Sequence, residues 1–423
     1  MNKPTRPDTL SRRRFIGRAA ALAAATVASG PALAQTAIED IINSPRRGSW
    51  DDQFDAKSSR SVAETATRHP IASADTIAFV ERAIFDYQNL VAQGGWPFVP
   101  TTKKLRMGVS EPEVRILRQR LMASGDLDRS AGLSNAFDSY VDGAVKKFQA
   151  RHGLPPDGVL GNYSYQALNV SADVRLGQLE TNLVRLRSMS GFLGDRYVMV
   201  NIPAAQIEAV ENGSVVLRHT AIVGKIDRQT PILNSKIHEI ILNPYWTSPR
   251  SIIEKDIVPL MRKDPTYLTR NNIRLFDGKG EEVAPETIDW NAEKAPDLMF
   301  RQDPGKGNAM SSTKINFHNP HAVYMHDTPQ QGVFNKLMRF ESSGCVRVQN
   351  VRDLNTWLLR DTPGWNRQAI EATIASRENT VIELAEPVPV YFVYFSAWAS
   401  EDGVVQFRDD VYQRDGVDEL ALR

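Results

Sequence analysis

The sequence predicts an α+β chain of several domains, with helical segments in its first half and a β-rich second half. At 423 residues it is long enough for two or three domains. Apolar residues recur at helical spacing in several segments between residues 73 and 192. From residue 195 onward, β-branched residues alternate with polar ones, as in the strands of a sheet. The separation of the two patterns along the chain indicates separate helical and β-rich domains.

The first 34 residues have the pattern of an export signal. A basic start that includes Ser11–Ile16 (SRRRFI) precedes an alanine-rich run, Ala19–Ala28, and an Ala-x-Ala site at Ala32–Ala34. This order predicts a twin-arginine-type signal peptide, residues 1–34. An N-terminal membrane anchor is the alternative, which the short and weakly hydrophobic run disfavours. We therefore expect a periplasmic protein with no stable membrane span after signal cleavage.

Charge and cysteine content narrow the function classes further. The signal segment holds six of the 51 basic residues and one of the 50 acidic residues. The rest of the chain therefore has 45 basic and 49 acidic residues, a net charge of −4. No basic excess remains to bind nucleic acid or an anionic membrane. Cys345 is the only cysteine in the sequence, so it has no partner for an intramolecular disulfide. In an oxidising compartment such a residue is either a buried, inert side chain or a reactive thiol.

Helical patterns organise the first half of the chain. Residues 35–107 are expected to form a polar linker followed by a scaffold helix over Ser73–Gln93, which the glycine pair after it ends. The spacing of apolar residues over 108–172 predicts three short helices, and the first is expected to begin with a capping box formed by Ser110 and Glu113. Residues 173–192 predict a linking helix.

The three-helix segment carries several short motifs: AVKKFQ, HGL, DGVLG and a closing ALN. Together they resemble the peptidoglycan-binding three-helix module of cell-wall enzymes. The resemblance implies that the module binds the glycan or stem peptides of peptidoglycan. A three-helix bundle that binds nothing, and only supports its neighbour, is the alternative.

The second half predicts a β-rich domain over residues 193–375, followed by a strand-like segment and tail over 376–423. The Asn212–Gly213 pair predicts a tight hairpin turn within it. Residues from about 249 to 310 change to mixed helix and polar loop. A long interruption of this kind predicts an insertion that acts as a lid.

Cys345 lies in the segment ESSGCVRVQ and is the candidate nucleophile. A thiol reacts as its thiolate, so it needs a nearby base or a positive field. Three of the seven histidines, His318, His321 and His326, lie in the segment FHNPHAVYMHDTP. Zinc binding is disfavoured, because a proline interrupts the first pair and the spacing of the second puts its members on opposite faces of a strand. His326 is therefore the candidate base, 19 residues before Cys345.

The two segments together resemble the signature of YkuD-type L,D-transpeptidases, in which a histidine precedes S-x-G-C-[IV]-R. The order of the segments GGWP, VGKIDRQTP, NPYWTSPRSI, RQDPGKGNAMS and YFVYFSAW further resembles a periplasmic YcbB-like subgroup. The resemblance covers nearly all of residues 75–412. It implies a β-sandwich-like catalytic domain with a helical lid insertion, besides the peptidoglycan-binding module.

The resemblance also implies a two-step acyl transfer, with Cys345 as nucleophile and His326 as general base. Cys345 would attack a tetrapeptide stem, D-alanine would leave, and an amine of a neighbouring stem would take the acyl group to form a 3-3 cross-link. Carboxypeptidase activity, D-amino-acid exchange, 1-3 cross-linking and a non-catalytic wall-binding scaffold are the alternatives. No cofactor or metal is expected, and carbapenems are expected to acylate the thiol.

Four further residues receive roles from the same resemblance. Backbone N–H groups at Gly344 and Cys345 would form part of an oxyanion hole, to which Tyr324 would add its hydroxyl. Ser343, which the resemblance places among the oxyanion or substrate-binding residues, stands where many family members have a histidine, a departure that the subgroup shares. Arg347 would hold the turn or bind a substrate carboxylate.

Overall fold

Helices form the first part of the chain in the computed structural model, which describes residues 68–189, 191 and 193–416. The predicted signal peptide and the linker up to residue 67 lie outside the described residues. The helices are α1 (Ala74–Ala92), α2 (Pro112–Ala123), α3 (Ser139–Arg151), α4 (Asn162–Leu168) and α5 (Ala172–Ser188). No helix in the described ranges is both long and apolar enough to cross a membrane.

The predicted scaffold helix is confirmed as α1, which packs against α5. The helices α2 to α4 enclose one apolar core, as the three-helix pattern predicts. The predicted capping box formed by Ser110 and Glu113 is wrong. Ser110 is paired with Ala136 in a β-bridge, so the helix begins after Glu111, whose side chain makes no capping hydrogen bond.

The β-rich half is built on a 9-stranded sheet within the described part of the chain. Its first strands are β1 (Arg196–Asn201), β2 (Gln206–Glu211), β3 (Ser214–Gly224) and β4 (Leu233–Leu242). After the insertion follow β9 (Thr313–Phe317), β10 (Met325–His326), β11 (Phe340–Ser342), β12 (Val346–Val348) and β13 (Thr380–Val393). The strand order in this sheet is β11-β3-β12-β10-β9-β4-β13-β1-β2. Because β2 also pairs with β3, the strands close around an apolar core, as expected of a β-sandwich-like domain.

The insertion between β4 and β9 contains strands as well as helices. It comprises β5 (Trp246–Thr247), α6 (Arg250–Ile252), a π-helical turn (Ile253–Ile257), α7 (Val258–Lys263), α8 (Tyr267–Arg270), β6 (Ile273–Phe276), β7 (Glu282–Val283) and β8 (Met299–Gln302). The strands form a small sheet in the order β5-β8-β6-β7. The sequence pattern missed them because strands of two to four residues leave too little alternation to detect.

The insertion packs against the 9-stranded sheet. Its apolar core includes Ile222 of β3 and, at its edge, Tyr324, which precedes β10. The insertion therefore lies beside β3 and the start of β10, near the candidate site.

The remaining helices and strands lie after residue 350 in the chain. Helices α9 (Val351–Leu358) and α10 (Arg367–Ser376) contribute to the main core, and β14 (Ala397–Ala399) pairs with β15 (Val405–Phe407). The β14–β15 hairpin contacts the three-helix module: His152 stacks on Phe407 with ring centroids 5.6 Å apart, and Arg151 Nη1 donates to the Val405 carbonyl at 3.2 Å. The module is thus joined to the C-terminal segment by specific contacts.

Candidate active site

Two short parallel strands, β10 and β12, form the centre of the candidate site. Met325 pairs with Val346, and both side chains are fully buried in the main core. Side chains alternate between the two faces along a strand, so the neighbours of these two residues face the insertion. Those neighbours are Tyr324, His326, Cys345 and Arg347.

Tyr324 contacts the sulfur of Cys345 with two donors. Its backbone N–H and its hydroxyl both hydrogen-bond to the thiol, and the hydroxyl also contacts the Trp246 side chain of the insertion. Cys345 is partly exposed. Burial of its sulfur raises the pKa of the thiol above its ordinary value, while the donors on Tyr324 oppose that shift. The resting sulfur is therefore a protonated thiol at neutral pH.

The orientation of His326 is set by the next residue along the chain. Its Nδ1 lies 2.6 Å from the carbonyl oxygen of Asp327. A carbonyl only accepts, so Nδ1 carries the proton and Nε2 keeps a free lone pair. Burial, with added repulsion from Arg347 and Lys314, lowers the pKa of His326 from 6.5 to about 3. The imidazole is thus a neutral base over the whole physiological range.

The carboxylate of Asp327 has a separate role, because it faces away from the imidazole contact. Its Oδ2 accepts from the Ser312 hydroxyl at 2.6 Å, and its Oδ1 accepts from the Thr328 N–H at 2.8 Å and from Gln331 Nε2 at 3.1 Å. These bonds fix the backbone that follows His326. The position of the carbonyl acceptor is therefore held by a buried network.

The turn that presents Cys345 is held by Ser342. The Ser342 hydroxyl donates to the Cys345 carbonyl at 2.5 Å and accepts the Gly344 N–H at 3.2 Å. Gly344 adopts a φ of 114°, which a residue with a Cβ rarely adopts. The Gly344 N–H is thus engaged by Ser342 in this structure, which leaves the Cys345 N–H and Tyr324 as the candidate oxyanion donors.

A second layer of hydrogen bonds supports that turn from the loop after β3. The Thr230 hydroxyl donates to the Gly344 carbonyl at 2.8 Å and accepts the Gly224 N–H at 2.8 Å. The Tyr412 hydroxyl donates to the Gly224 carbonyl and accepts the Thr230 N–H at 3.2 Å. A Cβ at Gly224 would overlap the backbone of this loop, so only glycine permits the close approach.

Ser343 connects the catalytic turn to the insertion. It is exposed, and Arg228 Nη1 donates to its hydroxyl at 3.0 Å. The same Arg228 forms an ion pair with Asp256 of the π-helical turn at 2.5 Å. The insertion therefore contacts the site both through this ion pair and through Trp246.

The three histidines of the FHNPHAVYMHDTP segment do not form a metal site. His318 stacks on His238 with ring centroids 4.1 Å apart, whereas His321 is exposed in the loop before β10. Across the residues that the structure describes, no group of three or more His, Cys, Asp or Glu side chains could hold a metal ion.

Several contributors to the site were missed in the sequence. Lys314 lies on β9, opposite His326, and its Nζ is 4.6 Å from the centroid of the Tyr324 ring. Trp246, Thr230 and Tyr412 reach the site from distant segments. Thr230 lies in the segment VGKIDRQTP and Trp246 in NPYWTSPRSI, and the resemblance of these segments to the subgroup was the only indication in the sequence that could have pointed to these two residues.

Comparisons with known proteins agree with this arrangement. Residues 195–368 match the YkuD family model, described as "L,D-transpeptidase catalytic domain", and residues 110–168 match "Putative peptidoglycan binding domain". A Haemophilus influenzae protein named "Putative L,D-transpeptidase" is 34% identical over 246 residues, which are 58% of this chain and 49% of that protein. The chain thus spans about half the length of this curated relative.

Solved structures of L,D-transpeptidases are also similar to parts of the chain. One, from Stackebrandtia nassauensis, is 13% identical to this chain. The matched region covers 70% of this chain and 96% of that protein's chain, with a TM-score of 0.25. An L,D-transpeptidase in complex with imipenem is 14% identical to this chain. The matched region covers 47% of this chain and 59% of that protein's chain, with a TM-score of 0.22. Scores this low carry no argument about shape, so the assignment rests on the matches to sequence. Residues 195–368 are therefore similar to the L,D-transpeptidase catalytic domain of the YkuD family, and residues 110–168 are similar to the peptidoglycan-binding family.

Proposed function

We propose that this protein is a peptidoglycan L,D-transpeptidase that works through a thioester on Cys345. The observation that carries the proposal is the single face shared by the Cys345 thiol, the two donors of Tyr324 and the neutral His326. A nucleophile, a base with a free lone pair and donors for an oxyanion are the parts that acyl transfer needs.

In the proposed first step, His326 Nε2 takes the thiol proton as the sulfur bonds to the carbonyl carbon of the donor stem. The oxyanion that forms accepts from the Cys345 N–H and from Tyr324. The C–N bond to the terminal D-alanine then breaks, and the protonated His326 gives its proton to the departing amine. This sequence starts from two neutral groups, which agrees with the raised pKa of the thiol and the lowered pKa of His326.

In the proposed second step, an amine of a neighbouring stem attacks the thioester carbonyl and loses a proton to His326. The sulfur leaves and recovers that proton, which restores the resting pair. The insertion packs beside this face and contacts Tyr324, so it would restrict water and favour an amine as acceptor. A 3-3 cross-link is the product that we propose, with the helical module binding peptidoglycan.

Two further proposals follow from the same chemistry. A protein that cross-links stem peptides acts outside the cytoplasmic membrane, so we place it in the periplasm after export by the twin-arginine-type signal. A carbapenem presents a strained carbonyl to the same thiol, so it should acylate Cys345.

The test is to incubate the chain from Gln35 with muropeptides that carry tetrapeptide stems and to separate the products by mass spectrometry. Cross-linked dimers and free D-alanine are expected, and the Cys345→Ala variant should form neither. Tripeptide stems without dimers would instead identify a carboxypeptidase. Equal dimer yields from the wild type and Cys345→Ala would refute the proposal.

A further inference from the structure

Two cations, Lys314 and Arg347, lie opposite His326 on the two strands beside β10, and neither forms an ion pair with a carboxylate in the described part of the chain. The Arg347 side chain is only 6% exposed, and its Nη1 is buried without a hydrogen-bond partner. Lys314 is partly buried, with its Nζ near the ring of Tyr324. Neither forms an ion pair within 4 Å with any residue in the described part of the chain. Both act electrostatically on the sulfur.

The nearest acidic side chains are engaged elsewhere. Glu341 lies within electrostatic range of Arg347, yet it forms an ion pair with Lys336 at 3.0 Å. Glu239 lies within range of Lys314, yet it accepts from Asn316 Nδ2 at 2.5 Å. Each carboxylate therefore acts on its cation from a distance and forms no ion pair with it.

Holding that charge in a buried site is unfavourable for the protein alone. Burial is the main cause that lowers the pKa of Lys314 below its ordinary value and that of Arg347 to about 10. An unpaired buried cation costs folding free energy unless an anion compensates it. Since no carboxylate in the described part of the chain forms an ion pair with either cation, a direct anionic partner is expected on a ligand.

We infer that Lys314 and Arg347 form a subsite for the free C-terminal carboxylate of the residue that leaves the donor stem. The inference rests on the proposed function, because it takes the stem peptide as the ligand. The carboxylate carbon lies three bonds beyond the carbonyl carbon that the sulfur attacks, about 4 Å away. Cations that act on the sulfur are therefore well placed to bind this C-terminal carboxylate. A carboxylate at the end of a long substrate side chain would lie farther from them.

The subsite makes donor recognition depend on where the stem ends. A stem with one residue after the attacked carbonyl places its carboxylate between the two cations. A stem extended by a further residue, or capped as an amide, places a neutral group there and leaves both cations unpaired. Lys314 and Arg347 would thus select donors by their terminal charge.

Alkylation of Cys345 tests the subsite without any peptidoglycan substrate. Iodoacetate and iodoacetamide form the same type of S–C bond as iodide leaves and the thiol proton is lost, but only iodoacetate carries a carboxylate. The ratio of their rate constants cancels any change in thiolate fraction. We expect the iodoacetate to iodoacetamide ratio to fall about 10- to 100-fold in Lys314→Met, the loss of one charge-assisted hydrogen bond.

Two further variants control that measurement. Lys314→Arg keeps the charge and should keep most of the wild-type ratio. Lys236→Met makes the same change at an exposed position on β4 and should leave the ratio unchanged. An equal ratio in wild type and Lys314→Met would overturn the inference and leave Lys314 as a simple stabiliser of the thiolate.

Donor peptides give the second test. Wild type should acylate a tetrapeptide stem with a free terminal carboxylate faster than the same stem with a terminal amide, and Lys314→Met should lose that preference. Acylation of both donors at equal rates in wild type would overturn the subsite while the proposed function stands. A preference for iodoacetate without any reaction of the tetrapeptide would refute the proposed function while the anion subsite stands.

Discussion

The Nδ1 of His326 lies 2.6 Å from the carbonyl oxygen of Asp327, and this contact determines which imidazole nitrogen keeps a free lone pair. In many catalytic histidines the orienting partner is a carboxylate, which would also stabilise the imidazolium. Here the partner is a neutral carbonyl, and the Asp327 carboxylate is bonded to Ser312, Thr328 and Gln331 instead. The contact selects the tautomer, and burial outweighs its tendency to raise the pKa of His326.

Removing the imidazole should slow acylation and leave the thiol in place. We expect His326→Ala to reduce the rate of acylation of Cys345 about 10²- to 10⁴-fold, the usual contribution of a general base. Mass spectrometry of the intact protein against time measures this rate with a carbapenem. His318→Ala, at an exposed position in the same segment, should react at the wild-type rate. Near-normal acylation of His326→Ala would remove the residue from the mechanism.

The pH profile distinguishes the neutral pair from an ion pair. His326 has a pKa of about 3 and the pKa of the thiol is raised, so both groups keep their reactive protonation states between those values. We expect the second-order rate constant for carbapenem acylation to be flat from about pH 5 to 8. A tenfold rise per pH unit over this range would show unassisted attack by a small thiolate fraction instead.

The same lowered pKa makes a prediction about stability. Unfolded His326 binds a proton below about pH 6.5, whereas folded His326 stays neutral down to about 3. The unfolded state therefore gains stability relative to the folded state as the pH falls through this window. His326→Gln should show a smaller loss of melting temperature between pH 7 and 4 than the wild type. A loss of equal size in both proteins would contradict the buried, neutral state.

The Tyr324 hydroxyl should matter through its hydrogen bond to the sulfur. Tyr324→Phe removes this donor but keeps the ring and the backbone N–H, so we expect acylation to slow about 2- to 10-fold, as for one hydrogen bond. The pKa of the thiol, measured by its absorbance or alkylation, should rise further. Tyr140→Phe, at a position that is 69% exposed in the helical module, provides the control. An unchanged thiol pKa in Tyr324→Phe would contradict the contact.

Thr230 should hold the turn that presents Cys345 through its hydrogen bond to the Gly344 carbonyl. Thr230→Val keeps the side-chain shape but leaves the Gly344 carbonyl and the Gly224 N–H without their buried partner. We expect a loss of about 1–3 kcal/mol in the free energy of unfolding and slower acylation by the folded fraction. Denaturant titration and carbapenem acylation measure the two effects. Full acylation activity in a folded Thr230→Val variant would show that the turn holds without this support.

The sequence was sufficient where the information is local. Periodicity predicted α1 and the three-helix module, the Asn212–Gly213 pair predicted the turn between β2 and β3, and the motif around Cys345 identified the family that the comparisons then matched. Each of these depends on residues close together in the chain.

The missed features depend on contacts between distant segments. Tyr412 lies 182 residues from Thr230, and neither residue type suggests a catalytic role by itself. Lys314 resembles any lysine on an alternating strand until the sheet places it opposite His326. The short strands of the insertion are stabilised by their neighbours and by a shared core more than by their own pattern.

The most direct test of the account is to trap the acyl-enzyme. Wild-type protein mixed briefly with a tetrapeptide-stem muropeptide, quenched in acid and digested, should carry the stem without its terminal D-alanine on the peptide that contains Cys345. The adduct should be absent from Cys345→Ser treated in the same way, and it should form more slowly in His326→Ala. Cross-linked product that accumulates without any adduct on Cys345, or an adduct on another residue, would contradict the account.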